Sequence, residues 1–130
     1  MTFYLDASAA VKLVKPESET SALVEFLGAR PGGLISSDLL RTELMGTVQR
    51  AGLPPADGLR VLGAVVLFRI SPHICDMAGT LVGNLGVRSL DALHLATAVS
   101  WQTQLSGILT YDRKFAEAAE SLGLQVESPS

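Results

Sequence analysis

The segment Thr2-Phe3-Tyr4-Leu5-Asp6-Ala7-Ser8 carries the clearest structural signal of the chain: a β-prone run stops at an aspartate and passes directly into a helical pattern. The small and apolar residues that follow predict a short helix over residues 7–14, ending before a proline. The same arrangement returns in Leu109-Thr110-Tyr111-Asp112-Arg113, where a strand predicted at 106–110 precedes a helix predicted at 115–122. Two such units indicate parallel strands joined by helices.

The rest of the chain alternates between apolar runs and helical patterns in the same way. Further strands are predicted at residues 34–35, 65–70 and 124–126, and further helices at residues 18–27, 38–52, 54–62, 72–82 and 90–101. Continuous apolar strands separated by helices predict an α/β fold with a central, mostly parallel β-sheet that is flanked by helices on both faces. No linker, repeat or low-complexity stretch interrupts the pattern, so residues 1–130 are predicted to form a single domain.

The composition excludes several classes of protein. With 10 Lys and Arg against 13 Asp and Glu, the net charge of −3 argues against coating of nucleic acid by bulk positive charge. The single cysteine, Cys75, excludes an internal disulfide and a cysteine-based zinc site, and it is predicted to be a buried helix residue. The longest apolar run, residues 61–68, is too short to cross a bilayer, and the N-terminus has no signal-peptide pattern. We therefore expect a cytoplasmic protein with no membrane association.

Four acidic residues occupy positions where a functional role competes with a structural one. Ligands of open parallel sheets bind beyond the carboxyl ends of the strands, so Asp6 and Asp112 meet there if their two strands are neighbours. Each of these two residues is equally well explained as a helix N-cap. Asp91 lies in the first turn of a predicted helix, where a carboxylate also complements the helix dipole. Glu43 lies inside another predicted helix, on a face that exposure to solvent alone could explain.

Four short motifs follow one another along the chain: Leu5-Asp6-Ala7-Ser8-Ala9, Thr42-Glu43, the segment LDALHLATA at residues 90–98, and Leu109-Thr110-Tyr111-Asp112. With these motifs in this order, the chain resembles the PIN-domain ribonucleases, and within them the VapC toxins of bacterial and archaeal toxin–antitoxin pairs. The resemblance covers nearly the whole chain. It implies a PIN-like αβα sandwich in which a divalent-metal site is formed by Asp6, Glu43, Asp91 and Asp112. It also implies that the hydroxyls of Ser8 and Thr110 support these carboxylates or the waters of the metal.

Such a set of carboxylates has a physical reason to bind a hard cation. Two unit charges about 4 Å apart repel by roughly 4 kcal/mol at an effective dielectric constant of about 20. Oxygen-only ligands favour Mg²⁺ or Mn²⁺, whereas zinc more often recruits histidine or cysteine. We expect Asp6, Asp91 and Asp112 to bind the metal directly or through water, and Glu43 to bind it or to orient the attacking water. Some relatives carry a further acid after the last aspartate, whereas residues 113–116 of this chain hold none.

The expected reaction is in-line hydrolysis of an RNA phosphodiester, and the resemblance implies products with a five-prime phosphate and a three-prime hydroxyl. Basic residues next to the acidic motifs are the candidate RNA contacts: Arg41, Arg88, Arg113 and Lys114. Solubilisation of the surface is the alternative for each of them, and Arg41 could instead pair with Asp38 one helical turn earlier. The two arginines at 88 and 113 are the strongest candidates, because a guanidinium group binds phosphate in a bidentate manner.

Two further side chains near these motifs are assigned to packing. His94 lies three positions after Asp91 on roughly the same helix face, which makes it an alternative candidate for a base or metal ligand. The preferred prediction is a packed or capping histidine, because the resembled family needs no catalytic histidine. Trp101 ends an apolar helix and is predicted to pack in the core or at an interface rather than to stack on RNA.

The resemblance also implies protein partners. We expect a homodimer and a cognate VapB-like antitoxin that covers the active-site groove. The early helices offer apolar residues for a groove that would receive the antitoxin, namely Val11, Leu13, Leu23 and Phe26. The alternative function is a non-catalytic module, either a receiver-like domain that is phosphorylated on aspartate or a decayed PIN domain with a regulatory or interaction role.

Overall fold

The central sheet of the computed structural model, which describes all 130 residues, is built from five parallel strands. They are β1 (Thr2–Leu5), β2 (Gly33–Ser37), β3 (Val65–Phe68), β4 (Gly107–Leu109) and β5 (Val126–Glu127), arranged in the order β3-β2-β1-β4-β5. The sheet is therefore entirely parallel. Strands β1 and β4 are neighbours, with Tyr4 opposite Ile108, which confirms the condition on which the meeting of Asp6 and Asp112 depends. Strands from both ends of the chain share this one sheet.

Seven α-helices connect the strands, close to the predicted positions. They are α1 (Ala7–Lys12), α2 (Thr20–Ala29), α3 (Leu39–Arg50), α4 (Pro55–Gly63), α5 (Pro72–Leu85), α6 (Ser89–Ser100) and α7 (Arg113–Ser121), with a short 3₁₀ turn at Gln102–Gln104. Helix α5 runs three residues beyond its predicted end and stops where Gly86 takes a left-handed conformation, with φ of 66°. The Gly86 N–H then donates to the carbonyl of Val82, a helix end that glycine favours because it has no side chain to clash.

The two faces of the sheet bury two separate cores, because successive strand residues point to opposite sides. Tyr4 and Ile108 pack on one face against apolar residues of α5, α6 and α7. Phe3, Leu5 and Leu109 pack on the other face against residues of α1, α2, α3 and α4. Helices thus cover both faces, and the predicted PIN-like αβα sandwich is confirmed.

The strand order separates this fold from the receiver-like alternative. Receiver domains have the doubly wound order 2-1-3-4-5, in which the first strand neighbours the second and the third. Here β1 lies between β2 and β4, and β3 is an edge strand. A receiver-like domain is therefore excluded by the connectivity of the sheet.

Three predictions about single side chains have different outcomes. Trp101 stacks on Phe68 with ring centroids 4.6 Å apart, so its predicted packing role is confirmed. The prediction that Cys75 is buried is wrong, because α5 turns Ile74 and Ala78 towards the core and leaves Cys75 exposed. Leu23 is completely buried in the core, so the antitoxin groove proposed from sequence cannot include it.

None of the helices combines the length and the apolar content that a membrane span would need.

Candidate functional site

Asp6 is held rigidly at the end of β1. Its backbone N–H donates to the carbonyl of Leu109 at 3.0 Å, which ties the end of β1 to the end of β4. The residue is 6% exposed, and one carboxylate oxygen, Oδ2, accepts from the hydroxyls of Ser8 at 2.7 Å and Thr110 at 2.8 Å. Both hydroxyls also accept a backbone N–H from the β4–α7 turn, Ser8 from Tyr111 at 2.9 Å and Thr110 from Asp112 at 3.1 Å. The two strand ends are therefore locked together around one carboxylate.

The N-cap interpretation of the two aspartates also describes the structure. Asp112 caps α7 through Oδ1, which accepts the N–H of Phe115 at 3.1 Å. Asp6 caps α1 through Oδ2, which lies 3.4 Å from the N–H of Ser8. Capping occupies one oxygen of each carboxylate and leaves the other without a protein donor. Capping and a ligand role are therefore compatible.

Glu43 reaches the same region from α3, which begins where Ser37 Oγ accepts the N–H of Leu39 at 3.0 Å. The Glu43 carboxylate accepts a hydrogen bond through Oε1 from His94 Nε2, at 2.5 Å. His94 is completely buried, which confirms that it is packed. Its contact with Glu43 was not predicted from sequence, because the two residues are separated by 51 positions and lie on different helices.

The charges of the other three acids act on the Asp91 carboxylate. Partial burial in the first turn of α6 raises its pKa above the usual carboxyl value, and the negative charges of Asp112, Asp6 and Glu43 raise the pKa further. The nearby His94 acts in the opposite direction and lowers this pKa, whereas the Asp91 carboxylate accepts no protein hydrogen bond. The pKa of Asp91 thus reflects the presence of all four carboxylates at the carboxyl end of the sheet, where open parallel sheets bind ligands.

The donor set suits a hard cation. Asp6, Glu43 and Asp112 each use one oxygen in protein hydrogen bonds and retain a second oxygen with no protein donor, while Asp91 retains both. Oxygen donors that are negatively charged and unpaired are the ligands that Mg²⁺ and Mn²⁺ prefer. No group of three or more His, Cys, Asp or Glu side chains is assembled as a ready-made metal site. Mutual repulsion opposes such close assembly of carboxylates unless a counter-ion is bound.

A cleft of about 650 Å³ lies beside these acids. Its lining includes Asp91 and Asp112, together with Arg88, Lys114 and Glu117, whereas Asp6 and Glu43 are not part of it. The sequence prediction missed Glu117, which follows directly after the segment where a further acid was sought. Its position five residues after Asp112, between one and two turns along α7, is the signal that could have found it.

The four predicted RNA contacts separate into two groups. Arg88 and Lys114 line the cleft. Arg41 forms an exposed ion pair with Asp38, with Nε 3.1 Å from Oδ1. This pairing is the alternative to RNA contact that the sequence indicates for Arg41. Arg113 is an exposed residue at the start of α7 and does not line the cleft.

Known proteins are similar to this chain over nearly its whole length. Residues 3–121 match the family model of the PIN domain. Ribonuclease VapC46 of Mycobacterium tuberculosis is 39% identical over 128 residues, covering 98% of this chain and 97% of that protein. Ribonuclease VapC35 of the same species is 38% identical over 132 residues, covering 97% of this chain and 96% of that protein.

Two solved structures share the fold. A toxin–antitoxin complex from Klebsiella pneumoniae contains a chain with a TM-score of 0.77 and 20% identity, with 98% of each chain covered. The sarcin-ricin loop cleaving toxin VapC20 of Mycobacterium tuberculosis has a TM-score of 0.76 and 12% identity, covering 98% of this chain and 99% of that chain. At these identities the structures support the fold alone, whereas the family match and the full-length relatives identify the lineage. The chain belongs to the PIN domain family and, within it, to the VapC ribonucleases.

Proposed function

We propose that this chain is a metal-dependent endoribonuclease toxin that hydrolyses RNA phosphodiester bonds. The observation that carries the proposal is the gathering of Asp6, Glu43, Asp91 and Asp112 at one end of the sheet, each with a carboxylate oxygen that no protein donor uses. The relatives named Ribonuclease VapC support the same activity. All four acids are present in the chain, and nothing favours a decayed, non-catalytic module.

The four acids have different proposed roles at the metal site. Asp6, fixed by Ser8 and Thr110, is the rigid ligand, while the exposed Asp112 and the half-buried Asp91 complete the charge around it. Bound Mg²⁺ or Mn²⁺ would neutralise these carboxylates, lower the pKa of a bound water and offset charge on the phosphate oxygens. Glu43 is proposed to bind the cation or to accept a proton from the attacking water.

The RNA backbone is proposed to run along the cleft beside Asp91 and Asp112. Arg88 and Lys114 line this cleft, so they are the favoured phosphate contacts. Arg113 is the next candidate because it directly follows Asp112, while the Arg41 guanidinium already pairs with Asp38 and contributes less. A few cationic side chains around an acidic centre suffice here, which is compatible with the net charge of −3.

We further propose a cognate VapB-like antitoxin and a homodimer as partners, and the cytoplasm as the location of the RNA substrate. The toxin–antitoxin complex that shares the fold supports the first of these partners. The surface offered to an antitoxin by α1 and α2 must exclude the buried Leu23, which leaves the partly buried Val11, Leu13 and Phe26.

The test is metal-dependent RNA cleavage by the purified chain. Cellular RNA is incubated with the protein in Mg²⁺, in Mn²⁺ and in chelator, and the new five-prime phosphate ends are mapped. The matched variants are Asp6→Asn and Asp38→Asn, because Asp38 is an exposed acid engaged only with Arg41. We expect cleavage to require the metal and to disappear in Asp6→Asn alone. Cleavage that survives both the chelator and Asp6→Asn would contradict the proposal.

A further inference from the structure

A hydrogen-bonded chain of side chains connects the core of the protein to Glu43. His94 of α6 lies between two partners: its Nδ1 is 2.6 Å from the Tyr4 hydroxyl of β1, and its Nε2 is 2.5 Å from the Glu43 carboxylate of α3. Both Tyr4 and His94 are completely buried. Three separate elements of the fold are thus joined through one imidazole. The outermost member, Glu43, is near enough to Asp91 for its charge to raise the Asp91 pKa.

The partners of the imidazole determine where its proton lies. A carboxylate can only accept, so the nitrogen next to Glu43 must carry the proton. In that tautomer Nδ1 has a free lone pair, and the Tyr4 hydroxyl donates to it. Burial raises the pKa of Tyr4 above its usual value, so the phenol keeps the proton that it donates. No buried polar side-chain atom lacks a hydrogen-bond partner, in agreement with this assignment.

Nothing else in the protein orients the Glu43 carboxylate. Its side chain is 27% exposed, and the hydrogen bond from His94 is the only one that it accepts. A glutamate side chain has several rotamers, so without this bond the carboxylate has no fixed orientation. Asp91 and His94 both lie on α6. The helix therefore fixes the spacing between the Asp91 carboxylate and the His94 imidazole, which orients Glu43.

We infer that His94 is a positioning residue that aims Glu43 at the metal site, with Tyr4 selecting the Nε2-protonated tautomer. This inference rests on the proposed function, in which Glu43 serves a bound cation. Hydrogen-bond partners of metal-binding carboxylates fix their orientation, and loss of such a partner typically weakens metal binding by about 10- to 100-fold. His94 touches neither substrate nor metal in this role.

The first experiment measures Mn²⁺ affinity by titration calorimetry in the intact chain. His94→Leu keeps a side chain of similar size but removes the donor, and we expect a loss of about 10- to 100-fold. His94→Gln retains an N–H donor near the Nε2 position and is expected to recover most of the affinity. The matched control is Thr97→Val, also buried on α6, whose hydroxyl donates only to the Leu93 carbonyl. It is expected to bind Mn²⁺ like the parent protein.

The second experiment reads the tautomer of His94 directly, by ¹⁵N–¹H NMR of the metal-free protein. We expect the Nε2-protonated form, with an Nε2 proton signal that shifts when Glu43 is replaced in Glu43→Gln. Tyr4→Phe, which removes only a hydroxyl, is expected to reduce the population of that form. If His94→Leu fails to fold, Tyr4→Phe still tests whether the hydroxyl of Tyr4 selects the tautomer of His94. An Nδ1-protonated ring, or equal Mn²⁺ affinity of His94→Leu and the parent protein, would overturn the inference.

The two experiments also separate this inference from the proposed function. If the parent protein binds no Mn²⁺ or Mg²⁺, the metal site itself is wrong, and so is a positioning role towards it. If the parent protein binds and cleaves while His94→Leu does so equally well, the proposed function stands and the positioning role fails.

Discussion

The contact between Thr110 and Asp6 gives the most quantitative prediction about the site. The Thr110 hydroxyl is buried, donates to Asp6 Oδ2 at 2.8 Å and accepts the backbone N–H of Asp112 at 3.1 Å. Thr110→Val keeps the branched shape and removes both hydrogen bonds. A hydrogen bond to a charged group contributes about 1.5–3 kcal/mol, and an amide left without its partner adds to the cost, so we expect Thr110→Val to lower the free energy of unfolding by about 2–4 kcal/mol.

The control for this experiment is Thr97→Val, because the Thr97 hydroxyl is also buried but donates to a neutral backbone carbonyl at 2.8 Å. Its loss is expected to be about 0.5–1.5 kcal/mol. Urea denaturation of the metal-free protein measures both values. In an Asp6→Asn background the cost of Thr110→Val should shrink, with a coupling energy of about 1 kcal/mol or more in the double-mutant cycle. Equal costs for the two threonines, or no coupling to Asp6, would refute the reasoning that Thr110 stabilises a charged carboxylate.

Three further outcomes are expected. Asp91→Asn should raise the melting temperature of the metal-free protein at neutral pH, because a raised pKa means that the charged Asp91 carboxylate destabilises the fold above that pKa. This advantage of the variant should vanish as the pH falls below the ordinary carboxyl range. A variant no more stable than the parent protein at neutral pH would contradict the prediction. Adding Mg²⁺ or Mn²⁺ should raise the melting temperature of the parent protein in scanning fluorimetry and have little effect on Asp6→Asn, whereas an equal effect on both would show that the cation binds elsewhere. Lys114→Ala and Arg88→Ala should each weaken RNA binding in fluorescence anisotropy and reduce the slope of log affinity against log salt by about one, while Arg41→Ala should change it less; a reversed order would move the RNA away from the cleft.

The fold followed from sequence wherever the signal was local. The apolar runs before Asp6 and Asp112 predict β1 and β4, whereas the pairing of these two strands is a finding of the structure. Strand β3 was predicted to reach residue 70 but ends at Phe68, because an apolar run alone does not mark where strand pairing with β2 ceases. The strand order, which excludes a receiver-like domain, depends on long-range pairing and could not be derived from local patterns.

The errors in single residues have a common geometric cause. A helix rotates by about 100° per residue, so a small difference in phase exchanges a buried position for an exposed one. Cys75 follows the buried Ile74 and therefore turns outward. Leu23 was assigned to a partner surface, whereas the structure turns this residue inward and exposes the adjacent Val24, at 53%.

The acidic site was predicted as far as its residues carry recognisable motifs. The motifs suggested four carboxylates with two supporting hydroxyls, and the structure brings Ser8 and Thr110 to one oxygen of Asp6. The partner of Glu43 was beyond reach from sequence, because the bond from His94 joins two helices distant along the chain. The spacing of His94 from Asp91 was visible, but spacing on one helix does not reveal which side chain faces it from another.

The most direct test of the proposed metal site is to measure Mn²⁺ affinity by electron paramagnetic resonance. The parent protein is compared with the single variants Asp6→Asn, Glu43→Gln, Asp91→Asn and Asp112→Asn. If four distant carboxylates serve one cation, the parent should bind Mn²⁺ and every variant should bind it more weakly, in parallel with its loss of RNA cleavage. A variant that loses cleavage yet keeps the parent's affinity would remove that acid from the metal site. Undiminished binding in all four would contradict the shared site altogether.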